Sequence, residues 1–415
     1  MRLSSVTIAG ALALTSSSAF AGGYDTPILY SAEHMGLGGA AIGYVDDPSA
    51  MFHNPAGLMG TKGLTLMANL TLVTGEIIAS PGDSNPNEAS DPILAIAPLV
   101  GVSYDLDDVV AFGLAFYPVA SAGAEYNYNE GGPNGPLVRN FTSVRFLEFT
   151  PNVAVKIPGT ELSIGAGYRI SLVQLGRELG AEGLDPTFDV DMSGVNFEGF
   201  RVGVQWRPIP ELELGFVFRN GTTTEIKDDA GRVLVEATDI KTEFTLPAKL
   251  GFGLRLNLDP IAVVADVEYG FYSQNKRNEF TGKPVNTQLG DELPVPIVNV
   301  SNWKDALTVR AGVEYGIDNR WFFRGGFIFD GKVSQVDYPS AFGTPPDSTT
   351  TITAGFGTKC EDNWELNFAI AHRLGSAKVR KGDDLDACIP CSYDGDYKLS
   401  MTGFYVDFTY AFPNL

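Results

Sequence analysis

Few residues in this 415-residue chain could carry covalent chemistry: His34, His53, His372 and three cysteines. Cys388-Ile389-Pro390-Cys391 has the spacing of a small loop disulfide, a redox pair or half of a metal site. No second CxxC and no histidine cluster completes a zinc site, which leaves a loop disulfide or idle thiols and no expected metal or cofactor. Gly36-Leu37-Gly38-Gly39 resembles a dinucleotide loop, but no strand precedes it and no βαβ unit follows. A catalytic serine would need a partnered histidine. His34 and His53 instead fall in one glycine-rich stretch, and His372 lies on the outward parity of an alternating segment. No catalytic residue is assigned, and an enzyme of the lipase type is the weaker alternative.

These residues sit within a chain of unusual organisation. Asp+Glu number 50 against Lys+Arg 29, for a net charge of −21, which argues against a nucleic-acid partner. Residues 1–21 read as a secretory leader: Arg2, the apolar run Val6 to Leu14, and the small-x-small site Ala19-Phe20-Ala21. The mature chain is expected to begin at Gly22, outside the cytoplasm. No later stretch reaches the ~18 apolar residues of a membrane helix. Gly36 to Gly60, GLGGAAIGYVDDPSAMFHNPAGLMG, is too glycine-rich for a good helix and lacks the alternation of a strand. It reads as a compact plug over residues 22–62, held inside a container made by residues 63–415.

The container is written in alternation. From Gly63 to Gly75, Leu64, Leu66, Ala68, Leu70 and Leu72 share one face, with Thr65, Met67, Asn69 and Thr71 on the other. Similar segments begin near Ile93, Val109, Val144, Thr160, Gly194, Glu211, Glu243, Ile261, Trp303, Arg320, Ser348, Asn363 and Ser400. That makes about fourteen strands of roughly 10–14 residues, long enough to cross a bilayer when tilted. Long connections (Ser121 to Ser143, Gly176 to Met192, Gly221 to Thr242) alternate with short ones such as Asp105 to Asp108 and Pro158-Gly159. The expected fold is all-β: a 14-stranded antiparallel transmembrane barrel with an N-terminal hatch, closed because lipid leaves a free sheet edge unsatisfied. Cys360 is expected at a short-turn end, with Cys388 and Cys391 in the last long loop.

Charges at mid-strand must face the lumen, since facing lipid costs about 2–4 kcal/mol at the midplane. From the fourth strand onward that face carries Glu148, Arg169, Arg201, Glu213, Arg219, Lys249, Arg255, Asp266, Glu268, Arg310, Glu314, Arg324 and Asp407. The first three strands carry none. Met67, Asn69, Ala97, Leu99, Ala115 and Tyr117 line an uncharged wall there, suited to hydrophobic molecules or to packing against the plug. Trp206, Tyr269, Tyr315, Trp321, Trp364 and Tyr410 lie near strand ends, as an interfacial girdle requires.

Gly36 to Ala40, Asp46-Asp47-Pro48-Ser49 and Phe52-His53-Asn54-Pro55-Ala56-Gly57-Leu58 resemble the N-terminal hatch of the FadL/TodX family, outer-membrane transporters of long-chain fatty acids and aromatic hydrocarbons. The likeness continues at Phe112 to Pro118, Leu246 to Gly251, Asn302 to Asp305 and Trp321 to Phe327. It implies passive uptake of hydrophobic small molecules, hatch rearrangement, and lateral release through a gap at a kink in the third strand, beside the Asn-Pro-Ala segment. Asn54, Pro55 and Ala56 match that segment. Pro118 is placed to interrupt the ladder of the third strand; the favoured expectation is that it ends that strand at the outer rim, with the kink earlier, near Gly113. The expected protein is an outer-membrane protein of a Gram-negative bacterium, a monomer in contact with lipid, with both termini periplasmic as the even strand number allows. Arg139 and Arg145 are expected as rim charges meeting lipopolysaccharide phosphates, the alternative being that they offset the loops' acidity locally. A non-conducting adhesin or structural barrel is the other alternative; it predicts neither hatch nor apolar pocket.

Overall fold

A computed structural model describes residues 29–412, apart from 82–84, 287–289, 291, 294–296, 319, 339–346, 361–362 and 381–393. Alternating sequence becomes one closed sheet of fourteen crossing strands. The first six are β1 (Leu64–Ala79), β2 (Ile93–Leu106), β3 (Val110–Asn129), β4 (Leu137–Lys156), β5 (Leu162–Ala181) and β6 (Phe188–Ile209). Four interrupted strands follow: β7 (Leu212–Arg219 and Thr222–Val233), β8 (Val235–Leu246 and Lys249–Leu258), β9 (Ile261–Gly270 and Arg277–Pro284) and β10 (Ile297–Val300 and Ala306–Ile317). The last four are β11 (Trp321–Asp330), β12 (Thr349–Cys360), β13 (Trp364–Val379) and β14 (Gly395–Phe412). The ring closes where β1 pairs antiparallel with β14, from Leu64 opposite Phe412 to Ile78 opposite Lys398.

The faces follow the period of two. Leu66, Leu70, Val309, Phe323, Phe327 and Phe408 are exposed on the outside, while Arg169, Arg201, Arg310, Arg324 and Asp407 are buried inside. Trp206, Tyr315 and Trp321 are exposed near the short turns, and Trp364 pairs with Tyr410 on the same rim. Cys360 ends its strand at a short turn; Cys388, Cys391 and the leader lie outside the described residues.

Strand length departs from expectation. The strands reach 22 residues in β6, and the supposed loops Ser121 to Ser143, Gly176 to Met192 and Gly221 to Thr242 are largely strand. The cause is continued alternation: Ala122, Ala124, Tyr126 and Tyr128 remain buried on one face of β3, so the sheet rises past the girdle as long as it has a core to cover. Where β7 to β10 break, side chains replace the ladder. Asn275 donates to the Thr245 carbonyl at 3.0 Å, and the Gln274 side-chain oxygen accepts from the Ala248 N–H at 2.9 Å.

Candidate functional site

The hatch fills the lower lumen as three short turns of helix: Ala32–Gly36, Ala50–His53 and a 3-10 segment, Pro55–Gly60. Its backbone is too polar to lie in a barrel without partners, and wall carboxylates supply them. Asp407 accepts from the Ala32 N–H at 2.6 Å, and Asp266 accepts from Ala41 and Ile42 at 2.8 and 3.0 Å. The Thr353 hydroxyl accepts from Gly38 N–H and donates to the Gly36 carbonyl, both at 3.1 Å. Arg324 joins hatch to wall, reaching Glu33 at 3.1 Å and Glu314 at 2.6 Å.

Contact this close requires a wall without side chains. A Cβ on Gly312 would lie 2.4 Å from the Leu37 carbonyl oxygen, and one on Gly326 2.1 Å from Gly38 N. On Gly203 it would lie 1.9 Å from Asn54 Oδ1, and on Gly165 2.3 Å from Ala56 N. This glycine seam at lumen parity was not singled out from sequence, although its regular placement on inward positions was the available signal.

Asn54 is fully buried. Its amide donates to the carbonyls of Ile42 (2.9 Å) and Val204 (3.0 Å), and its oxygen accepts from Ala56 N–H at 3.2 Å. Asn54, Pro55 and Ala56 dock against β5, β6 and β7, and the 3-10 segment that they open also packs on the third strand, where Leu58 meets Gly113. Gly113 is not a kink: its ladder positions opposite Ser103 and Asn152 are regular. Its missing Cβ admits Met51 and Leu58 of the hatch.

The irregularity is at Pro118. This proline does not end the strand; β3 runs eleven residues beyond it to Asn129, with a bulge between Pro118 and Ala120 against β4. On its other side, β3 pairs with β2 only from Leu106–Val110 up to Val100–Phe116. The next backbone link joins the Asp91 N–H to the Glu125 carbonyl at 2.8 Å. Between these, among the described residues, the edges of β2 and β3 form no ladder. Both unpaired stretches carry a proline, Pro98 and Pro118, which has no N–H to donate. Proline is compatible with a strand interior only where no ladder bond is asked of its nitrogen, so the sequence reading of Pro118 as a terminator missed that the neighbour itself is absent.

The hatch covers this opening from inside. Tyr30 donates its phenol to the Pro118 carbonyl at 2.9 Å. Phe52 meets Tyr30 and Tyr117 edge-on, with centroids 5.1 and 5.3 Å away, and Arg201 lies over the Phe52 ring at 5.4 Å. Arg201 also reaches the Met51 carbonyl and the Tyr117 hydroxyl, the latter at 3.2 Å. His34 and His53 stack edge-on behind them at 5.3 Å. Burial first, then the His34 ring and Arg310 and Arg201, pushes the His53 imidazole well below its ordinary range. Tyr30 was not singled out beforehand, and Phe52 entered only as the first residue of the hatch motif.

Around the opening, Met67, Asn69, Ala97, Leu99, Ala115 and Tyr117 are all buried on the lumen side. With Tyr30, Met51 and Leu58, all but Asn69 belong to one apolar cluster; Asn69 donates to the Val406 carbonyl at 3.3 Å. The cluster continues upward through Val119, Tyr126, Phe146, Val173, Phe188, Phe244 and Tyr397. The interior is thus layered along the axis as well as divided around it. Below are hatch and ion pairs, such as Arg169–Glu148 at 2.9 Å and Arg255–Glu314 at 2.6 Å. Above is an interior of buried, mostly apolar side chains, within which Arg177 is bonded to Asn140 and the Phe141 carbonyl. Between the layers, a cavity of about 60 Å³ is lined by Phe52, His53, Val119, four cations (Arg201, Arg219, Lys249 and Arg310) and two carboxylates (Asp266 and Glu268). Arg139, expected to face lipopolysaccharide, is held by Glu125 at 2.7 Å.

A closed antiparallel barrel with lipid-facing apolar strands, a plugged ionic base and an apolar upper lumen defines a membrane channel of the hatch-bearing kind. Residues 12–412 match the family described as outer membrane protein transport protein (OMPP1/FadL/TodX), and the chain belongs to that family. It is therefore an outer-membrane β-barrel of a family of Gram-negative transport channels for hydrophobic compounds. Among solved structures it is similar to a Pseudomonas aeruginosa FadL homologue (17% identity, TM-score 0.71, covering 95% of this chain and 100% of that one). It is also similar to the Pseudomonas putida toluene transporter TodX (16%, 0.68, 92% and 99%) and the Ralstonia pickettii toluene transporter TbuX (19%, 0.62, 92% and 98%). Among curated proteins, none matches it in sequence.

Proposed function

We propose that this protein is a passive channel, not an enzyme, that takes up hydrophobic small molecules at the long-loop end and releases them sideways into the membrane. In this reading the short turns and both termini face the periplasm, the long-loop rim meets lipopolysaccharide, and a monomer suffices. Cargo enters the upper lumen, whose buried side chains are apolar over most of its wall, with Arg177 held by Asn140 and the Phe141 carbonyl. It descends until hatch and ion pairs block the axis. The remaining way out is the unpaired stretch between β2 and β3, covered by Tyr30, Phe52 and Tyr117. Movement of those rings, carried by hatch rearrangement about its anchor at Asn54, Pro55 and Ala56, opens the side. Uncharged Leu99, Ala97 and Ala115 line the approach.

The observation that carries this reading is the β2–β3 ladder stopping at Val100–Phe116 beside an apolar lumen. Two cargo classes fit. Neutral hydrocarbons, which the relatives' names point to, need only the upper lumen and the gap. Fatty acids would also find counter-charge in the small cavity, where cations outnumber carboxylates.

Leu99 and Tyr117 would form the next rung if the ladder continued. A Leu99→Cys/Tyr117→Cys pair, joined by oxidation in proteoliposomes, is expected to lower uptake of both toluene and oleate by roughly tenfold or more, the effect of ~1.4 kcal/mol or more on the exit barrier. Reduction should restore it. Uptake that survives the cross-link overturns sideways release, and loss for one cargo alone assigns the substrate class.

A further inference from the structure

We propose that the outer wall carries a receiving groove for the released molecule, on the half of the barrel nearer the short turns. The inference rests on the sideways-release reading above and deepens it by naming where the cargo goes next. A concavity of about 700 Å³ lies on the lipid-facing side, framed by β14, β1, β2, β3 and β4. Phe408 and Tyr410 form one flank, Phe116 and Phe149 the other, and Ala68 and Gly101 lie at its floor. The register explains the hollow. Ala68 sits opposite Phe408 on one side and Val100 on the other, so an outward methyl stands where neighbouring strands present large side chains. The volume lies within the ~300–1,000 Å³ typical of small-ligand sites. No charged residue lines it, so the portion of a ligand it holds is a hydrocarbon chain or ring.

Continuity with the opening identifies the occupant as cargo rather than resident lipid. Val100 and Phe116 are the last rung of the β2–β3 ladder, and both line the groove. A molecule passing between Leu99 and Tyr117 has this apolar surface as its next neighbour, one residue along each strand. The groove then runs toward Phe412, on the short-turn rim. In the orientation proposed above, that is the periplasmic leaflet. Cargo would thus be handed to phospholipid tails rather than left among lipopolysaccharide chains.

The test uses the whole protein in proteoliposomes with a diazirine-bearing fatty acid added outside, followed by mass spectrometry of labelled peptides. Labels are expected on lumen residues and, on the lipid face, concentrated around Ala68 and Val100. Ala68→Trp, which fills the hollow from an exposed position, should slow transfer into the bilayer about threefold or more while lumen labelling persists. Ala311→Trp, outward on β10, should leave it unchanged. The inference is overturned if cargo labels the lipid face evenly or the lumen alone, if only a diazirine phospholipid labels the groove, or if the two tryptophan variants behave alike. Failure of sideways release itself reads out separately, as uptake that persists through the Leu99–Tyr117 cross-link.

Discussion

At the residue scale, Tyr30 ties the hatch to the unpaired stretch of β3. Its phenol takes the Pro118 carbonyl at 2.9 Å, at the bulge where β3 lacks its usual neighbour. A buried neutral hydrogen bond contributes about 1 kcal/mol net. Tyr30→Phe keeps the ring against Phe52 and removes only that bond. It is expected to raise the basal rate of cargo exit by roughly fivefold, the ratio that ~1 kcal/mol sets, with the barrel still folded by circular dichroism. An unchanged rate would show that ring packing alone holds the cover. Sequence marked the neighbourhood but not this residue. Asn54-Pro55-Ala56 stands out as a motif, whereas Tyr30 is a lone aromatic ahead of the glycine run, and its partner is a backbone carbonyl, which leaves no trace in side-chain type. Asn54 likewise reads as a hatch residue, but its partners are carbonyls of Ile42 and Val204, so nothing in the sequence says which strands it faces.

At the element scale, hatch and wall fit because glycines recur at inward positions of β5, β6, β10 and β11. Gly203→Ala would put a methyl group 1.9 Å from Asn54 Oδ1, whereas the Cβ of Gly325→Ala, on the outward face of β11, meets nothing within 4 Å. The first is expected to loosen the hatch, read as faster proteolytic cutting within residues 29–60 of the folded barrel. The second should leave it as it is. Strand faces were legible because one buried and one lipid-facing surface force a strict period of two. Strand ends were not, since a sheet that rises beyond the bilayer keeps the same period while its outer face turns polar. Asp189 and Asp191 alternate with buried Val190 and Met192 in β6, and that polar outer face reads as loop when hydropathy alone is followed.

At the scale of the whole molecule, charge is sorted twice, around the barrel and along it. The uncharged sector of β1 to β3 was visible by counting inward residues strand by strand. The apolar upper interior was partly hidden, because Tyr126, Phe188 and Tyr397 lie in stretches read as loops. Both divisions predict where a new charge does most harm. Leu99→Asp stands in the apolar sector with no cation on its own or adjoining strands, whereas Thr409→Asp lies two residues from Asp407, in the sector where Asn367 and Arg324 already bind polar partners. Uptake of a neutral hydrocarbon should fall more for the first than the second, by about tenfold or more for the several kcal/mol that an unpaired buried charge costs. Equal losses, with equal amounts of heat-modifiable folded protein, would remove the apolar sector from the mechanism.

The same wall has unequal strength. β2 is tied to β1 by twelve rungs but to β3 by only seven, and closure at β1–β14 uses fifteen. Lateral pressure from the bilayer acts on every seam of the cylinder, and the one with fewest bonds yields first. Among the described strands the barrel is therefore expected to yield first at β2–β3, with a thinner or more strained membrane loosening that seam before the others.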